Sequence, residues 1–175
     1  MKKIFTVLFS IISFGLFAQS PDCANAEPFC TDEGAYEFPA TTDEPDAAAG
    51  PDFDCLFTQP NPAWYFMQID DPGDIIIDID ANPPSDIDFV CWGPFNTMDD
   101  VCNQLTGAMV ADCSYAGGTG TEVCDITNAQ TGEFYMLLLT NWGNIETNIT
   151  FEQSGGNGTT DCTLLIATLL TLRAM

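Results

Sequence analysis

Cysteine is the residue type that most constrains how this chain can fold. There are eight cysteines, and an even set in an exported chain of this size predicts disulfides, here four. Zinc binding needs closely paired cysteines or histidines, but the chain has no histidine and its closest cysteines are seven residues apart. The eight are Cys23, Cys30, Cys55, Cys91, Cys102, Cys113, Cys124 and Cys162.

Sequence alone leaves the pairing of these cysteines open, because eight of them allow about 105 connectivities. Cys30 could pin the long loop at Cys55, and Cys23 could tie the start of the domain to Cys162. Cys91 and Cys124 lie on predicted strands and could bridge neighbours, while Cys102 and Cys113 flank a short segment.

The N-terminus predicts export. Lys2 and Lys3 precede an apolar run, residues 4–17, and the small residue Ala18 ends it. A short basic region, an apolar core and a small residue before the cut are typical of a Sec signal peptide, here residues 1–18. The alternative is an uncleaved anchor, but the run is shorter than the roughly 20 residues a spanning helix needs. We therefore expect a secreted or cell-surface protein with no membrane span in the mature chain.

The net charge of the chain limits which classes of partner it can bind. After cleavage, Arg173 is the one strong base against 26 acidic residues, a net charge of −25. Nucleic-acid binding depends on cations that replace counterions, so we expect no nucleic-acid partner, and an anionic membrane surface would repel the chain. Cations, basic proteins and neutral glycans stay open as partners.

Strand-like segments recur along the mature chain. Residues 74–80 alternate, with Ile75, Ile77 and Ile79 on one face and aspartates mostly on the other. Seven or eight short strands separated by turn residues predict an all-β fold, an antiparallel jelly-roll-like sandwich over residues 19–153. One short helix is expected from Thr97 to about Leu105. The other strands are expected at residues 36–38, 64–69, 86–92, 109–113, 121–127, 133–140 and 145–151.

The sequence predicts that the C-terminal part is a separate region. Residues 154–160 are rich in glycine and polar residues, which is typical of a linker, and an apolar tail follows. We expect residues 154–175 to be this linker and tail. A flexible linker normally leads to another domain, so the chain is expected to be a fragment of a larger protein with domains downstream. The alternative is that the apolar tail is a buried extra strand.

Seven segments of the sequence together resemble one known protein family. They are "CANAEPFC", "NPAWYFMQI", "SDIDFVCWGPF", "CNQLTG", "DCSYAGG", "NAQTGEFYMLLLTNW" and "NITFEQSGGNGTTDC". Over residues 22–162 the chain resembles a β-sandwich domain near the N-terminus of secreted Bacteroidota proteins that carry adhesin modules and gliding-motility or type IX sorting domains. That domain is similar to bacterial pre-peptidase C-terminal domains, which are jelly-roll sandwiches that often bind calcium or polysaccharide. The resemblance implies a non-catalytic module of an adhesin-like protein.

Calcium is the cofactor that the acidic residues suggest. Ca²⁺ takes six to eight oxygen ligands, mostly carboxylate and carbonyl. Asp78 and Asp80 share one strand face, as do Asp86 and Asp88, and these four are the candidate ligands. The resemblance points the same way at Asp86 and Asp88. No EF-hand pattern is present, and a solvated acidic face is the alternative interpretation.

Aromatic residues provide a second candidate site. Trp64, Tyr65, Trp92, Phe95, Tyr115 and Trp142 could form a sugar-stacking platform, although aromatic residues on strands more often pack in a core. Trp92 precedes Gly-Pro and Trp142 lies in a turn, so these two are expected to be exposed and to bind ligand. A carbohydrate-binding accessory domain of a secreted enzyme is therefore the alternative function.

Catalysis is not expected. Without histidine or a mature lysine, Ser-His, Cys-His and Schiff-base mechanisms lack their residues. Paired carboxylates could still hydrolyse a glycosidic bond, but with so many acids no pair stands out. A carboxylate-based hydrolase would need a cleft with two facing acids.

Overall fold

A computed structural model describes residues 20–31 and 34–165. The predicted signal peptide and the end of the apolar tail lie outside these described residues. Nine strands form two sheets, and all pairs are antiparallel except the short β1 with β3. The strands are β1 Glu27–Pro28, β2 Tyr36–Pro39, β3 Pro62–Gln68, β4 Gly73–Asn82, β5 Ile87–Phe95, β6 Val110–Ser114, β7 Glu122–Ala129, β8 Phe134–Asn141 and β9 Asn148–Gly156.

The sheets form a sandwich, as predicted. One sheet has the order β1-β3-β8-β5-β6 and the other β2-β9-β4-β7. From β2 to β9 the chain crosses between the two sheets at every step except β5 to β6. The jelly-roll connectivity stays a prediction. Each of the eight strands expected from the sequence is present within a few residues.

The main core lies between the sheets. Ile75, Ile77 and Ile79 of β4 point inward and are fully buried, while Asp78 and Asp80 point away from the core. The three buried isoleucines pack against inward residues of the other sheet, among them Phe89 and Leu137. Alternation therefore gives β4 one apolar face and one mostly acidic face, which also carries the partly buried Ile76, as its sequence predicts.

A second apolar cluster covers the outer face of the five-stranded sheet. Trp64, Trp92, Met136 and Leu138 point outward from β3, β5 and β8. They are covered by residues of the segments between β2 and β3 and between β5 and β6, including Leu56, Val101 and Leu105. The long loop between β2 and β3 is thus a packed outer layer, which explains why both faces of β5 and β8 are apolar.

The helix expected from Thr97 to Leu105 is confined to one 3₁₀ turn at Val101–Asn103. Two further 3₁₀ turns occur at Cys23–Asn25 and Gly107–Met109. Among the described residues, none forms a helix with the length and apolar content needed to cross a membrane.

Three disulfides are formed, Cys23–Cys102, Cys30–Cys162 and Cys55–Cys113. The suggested pairs Cys30 with Cys55 and Cys23 with Cys162 are therefore wrong. The expected fourth bridge is absent in this structure, where Cys91 and Cys124 are thiols buried in the core. The Cys23–Cys102 and Cys55–Cys113 bridges tie the outer layer to the rest of the fold. The long loop is therefore pinned at Cys55, as expected, and its partner is Cys113 of β6.

The boundary placed at residue 153 is too early. β9 continues to Gly156, Thr160 bridges Ile69, and Cys162 is bonded to Cys30. The glycines expected to form a linker belong to the sheet, where Gly155 and Gly156 pair with Ile76 and Ile75 of β4.

Candidate binding site

Trp142 lies on the turn that follows β8, and the residues beside it hold this turn firmly. Asn141 is buried, and its Nδ2 donates to the carbonyls of Thr41 and Ile145 at 3.0 and 2.9 Å. Its Oδ1 accepts a hydrogen bond of 2.7 Å from the Ser85 hydroxyl. Satisfied buried amides fix local geometry, so the indole is presented by a rigid support.

Gly143 ties the same turn to the start of β5. Its N–H donates to the Asp86 carbonyl at 3.0 Å. A Cβ at this position would lie 2.5 Å from Ser85 Oγ and 2.9 Å from Asp86 N. Glycine is therefore required for the turn to approach Asp86 closely.

Three aromatic side chains gather at this corner of the outer layer. Trp142 is 47% exposed and Phe57 is 85% exposed. The Phe57 and Tyr115 rings meet edge to face with centroids 5.5 Å apart. Thr58 links the group, because Trp142 Nε1 donates to its hydroxyl at 3.2 Å and the Tyr115 hydroxyl lies 3.3 Å from it.

A small cavity of about 180 Å³ opens between the rings of Tyr115 and Trp142 and two aspartates. We call it the Trp142 site, and it is lined by Asp86, Asp88, Tyr115, Gly117 and Trp142. A glycine-rich loop between β6 and β7 closes one side of the site. It is held in place by a hydrogen bond of 3.1 Å from the Gly118 N–H to Asp86 Oδ1. The site thus combines ring faces with carboxylates in one concave surface.

Asp88 is the most unusual group in the Trp142 site. It is only 3% exposed, and the described residues donate no hydrogen bond to its carboxyl. Burial, helped by the carboxylates of Asp86 and Glu122, raises the pKa of Asp88 to about 7. Its cross-strand neighbour is Thr140, whose buried hydroxyl also lacks a partner among the described residues. Buried polar groups rarely stay unpaired, so this is a place where a ligand's hydroxyl groups would be favoured.

Of the two tryptophans expected to bind ligand, the structure exposes only Trp142. Trp92 is 0% exposed and stacks on Trp64 with centroids 5.6 Å apart. Its indole N–H donates to the Asp52 carbonyl at 3.1 Å, inside the outer layer. The prediction for Trp92 is therefore wrong, because the loop after β2 covers the strand face on which it lies.

The four candidate calcium ligands do not form one site. Asp78 and Asp80 lie on the outer face of the four-stranded sheet, where they accept hydrogen bonds of 2.6 Å from Ser154 and Thr121. Asp86 and Asp88 lie at the start of β5 in the other sheet. Within residues 20–31 and 34–165, no three acidic or cysteine side chains are grouped so that they could hold a metal ion. Calcium stays a prediction.

A larger cleft lies elsewhere, at the end of β4 and the start of β9. Its volume is about 550 Å³, and its lining includes Glu44, Asn82 and Glu146. It has no aromatic wall and carries no buried unpaired acid, so it offers less to a ligand than the Trp142 site.

Sequence reasoning missed Gly117, which lines the Trp142 site, and three residues next to its lining. Phe57 and Thr58 fall in the long loop, and Glu122 begins β7. No local sequence pattern marks these residues, because the fold brings them together from distant segments. No protein-family model, curated protein or solved structure matches the chain.

Proposed function

We propose that the chain is a non-catalytic binding module of an exported, adhesin-like protein, and that its ligand is a carbohydrate bound at the Trp142 site. The observation that carries the proposal is the exposed Trp142, held rigidly beside Tyr115, Phe57 and two carboxylates. Ring faces offer a flat apolar surface to the C–H face of a sugar, and carboxylates accept its hydroxyl groups. Small-molecule sites commonly combine apolar walls with a few convergent polar groups.

The disulfides and the family resemblance support a function outside the cytoplasm. Three disulfides are typical of exported proteins, since cytosolic thiols are kept reduced. The resemblance to secreted Bacteroidota sandwich domains supports the same compartment and an adhesin-like parent protein. The large negative charge disfavours polyanionic glycans, so neutral sugars and amino sugars are the ligand class that fits best.

The test is binding of the mature domain to an array of neutral and N-acetylated oligosaccharides, followed by calorimetry with the best ligand. Trp142→Ala should weaken binding about fivefold or more, because a well-packed ring contributes about 1 kcal/mol or more. Ile145→Ala is the matched control, since Ile145 is an exposed apolar residue three positions along the same turn. The proposal fails if no glycan binds, or if Trp142→Ala and Ile145→Ala bind equally well.

A carboxylate-based glycosidase is the second candidate, and Asp88 is the reason. A carboxyl whose pKa is about 7 keeps its proton near neutral pH and could serve as a general acid. Release of reducing ends from the bound glycan, abolished by Asp88→Asn, would support the glycosidase instead.

A further inference from the structure

Two cysteines remain as thiols in the middle of the sandwich. Cys91 lies on β5 of the five-stranded sheet and Cys124 on β7 of the four-stranded sheet. Both are 0% exposed and belong to the apolar core between the sheets. They therefore approach each other from opposite sheets.

Backbone geometry brings the two strands together at this point. Asp112 of β6 is the register partner of Cys91. Its carboxylate accepts a hydrogen bond of 2.7 Å from the N–H of Asp125, the residue after Cys124. The edge of one sheet is thus fastened to the edge of the other beside the cysteine pair.

The two thiols are in direct contact. A hydrogen bond to the Cys91 thiol, together with complete burial, raises the pKa of the Cys124 thiol well above its ordinary value. Thiolate is the species that attacks a disulfide, so oxidation would be very slow once the sheets have packed. Any bridge must then form during folding, before the core closes.

We propose that Cys91 and Cys124 form a fourth disulfide, joining the two sheets, when the exported chain folds in an oxidising compartment. The two thiols lose two protons and two electrons as the sulfur–sulfur bond forms. The oxidant is the disulfide of a thiol–disulfide oxidoreductase, or oxidised glutathione in vitro, and it is reduced to two thiols. The proposal rests on the proposed export but not on carbohydrate binding.

Selective alkylation tests the bridge. The mature domain, secreted through an oxidising compartment, is unfolded in guanidinium chloride with iodoacetamide and no reductant, then analysed by peptide mass spectrometry. We expect no alkylation of Cys91 or Cys124 and a peptide pair linked through them. Alkylation of both, with the other six cysteines bridged, would overturn the proposal while leaving export intact.

Single variants make the pairing specific. In Cys91→Ala, Cys124 should become alkylated while the other three bridges are retained, and Cys124→Ala should expose Cys91 in the same way. A variant in which the remaining cysteine is not alkylated because it has paired elsewhere would contradict the assigned bridge. If all eight cysteines are alkylated in the original chain, the fourth bridge is wrong together with the other three.

Discussion

At the scale of single residues, Asp88 should leave a signature in the pH dependence of stability. Its folded-state pKa of about 7 lies above the ordinary value of 3.8. Between these values the folded state holds a proton that the unfolded state has lost. The free energy of unfolding should therefore fall as pH rises from about 4 to 7, by at most about 1.4 kcal/mol per pH unit and less where solvent screens the charge.

Asp88→Asn removes this titration, so it should flatten the fall and raise the melting temperature at pH 8 by a few degrees. The difference should be small at pH 4, where the carboxyl is protonated in the folded state. Thermal melts from pH 4 to 8 measure both effects. Asp71→Asn, at an exposed turn before β4, controls for the loss of one negative charge, and parallel pH profiles for all three proteins would contradict the assignment.

Trp92 and Trp142 show where residue-level prediction from this sequence works and where it stops. Trp142 follows a strand and is flanked by turn residues, so local chemistry alone indicated its exposure. Trp92 lies on a strand whose outer face should meet solvent in a two-layer sandwich. It is buried because a loop distant in sequence covers that face, and nothing in the neighbourhood of Trp92 signals this.

At the scale of elements, the turn after β8 should behave as the rigid support of the binding site. Gly143→Ala forces a methyl group against Ser85 and the Asp86 backbone. We expect a loss of roughly 1–3 kcal/mol of stability, as for other overpacked positions, and weaker glycan binding because Trp142 shifts. Urea denaturation and calorimetry measure the two effects.

Gly120→Ala is the control for this variant. Gly120 lies in the loop before β7, and a Cβ there would meet no heavy atom within 4 Å. It should leave stability and binding close to those of the original chain. Equal effects of the two substitutions would mean that the turn does not depend on close packing at Gly143.

The pattern of apolar, aromatic and alternating segments between turn residues was enough to predict strands β2 to β9. It could not predict β1, because a strand of two residues is too short to show a recognisable pattern. The sequence also led to a wrong prediction for the glycines at the end of β9, which were expected to form a linker. Gly156 has a φ of +88° and a Cβ there would collide with the Asp74 carbonyl, so these glycines permit close strand contact rather than flexibility. Disulfide pairing depends on contacts distant in sequence, which no local pattern encodes.

At the scale of the whole molecule, negative charge is the dominant electrostatic feature. The formal net charge of −23 favours expansion through self-repulsion, and the described residues contain neither Lys2, Lys3 nor Arg173 to offset it. Added salt shortens the range of this repulsion to about 10 Å at 0.1 M. Stability should therefore rise with ionic strength for any salt, before specific binding is considered.

Calcium can be separated from this general effect by comparing salts. Because the candidate aspartates lie in two different sheets, and Asp78 and Asp80 already accept hydroxyl hydrogen bonds, we expect calcium, magnesium and sodium chlorides at equal ionic strength to raise the melting temperature equally. A ligand bound only by the folded state would instead add about 2.7 kcal/mol at a hundredfold over its dissociation constant. A rise given by calcium alone and reversed by chelator would show a specific cation site. Asp86→Asn and Asp78→Asn would then tell which sheet holds it, since only the variant that loses a ligand would lose the extra stabilisation.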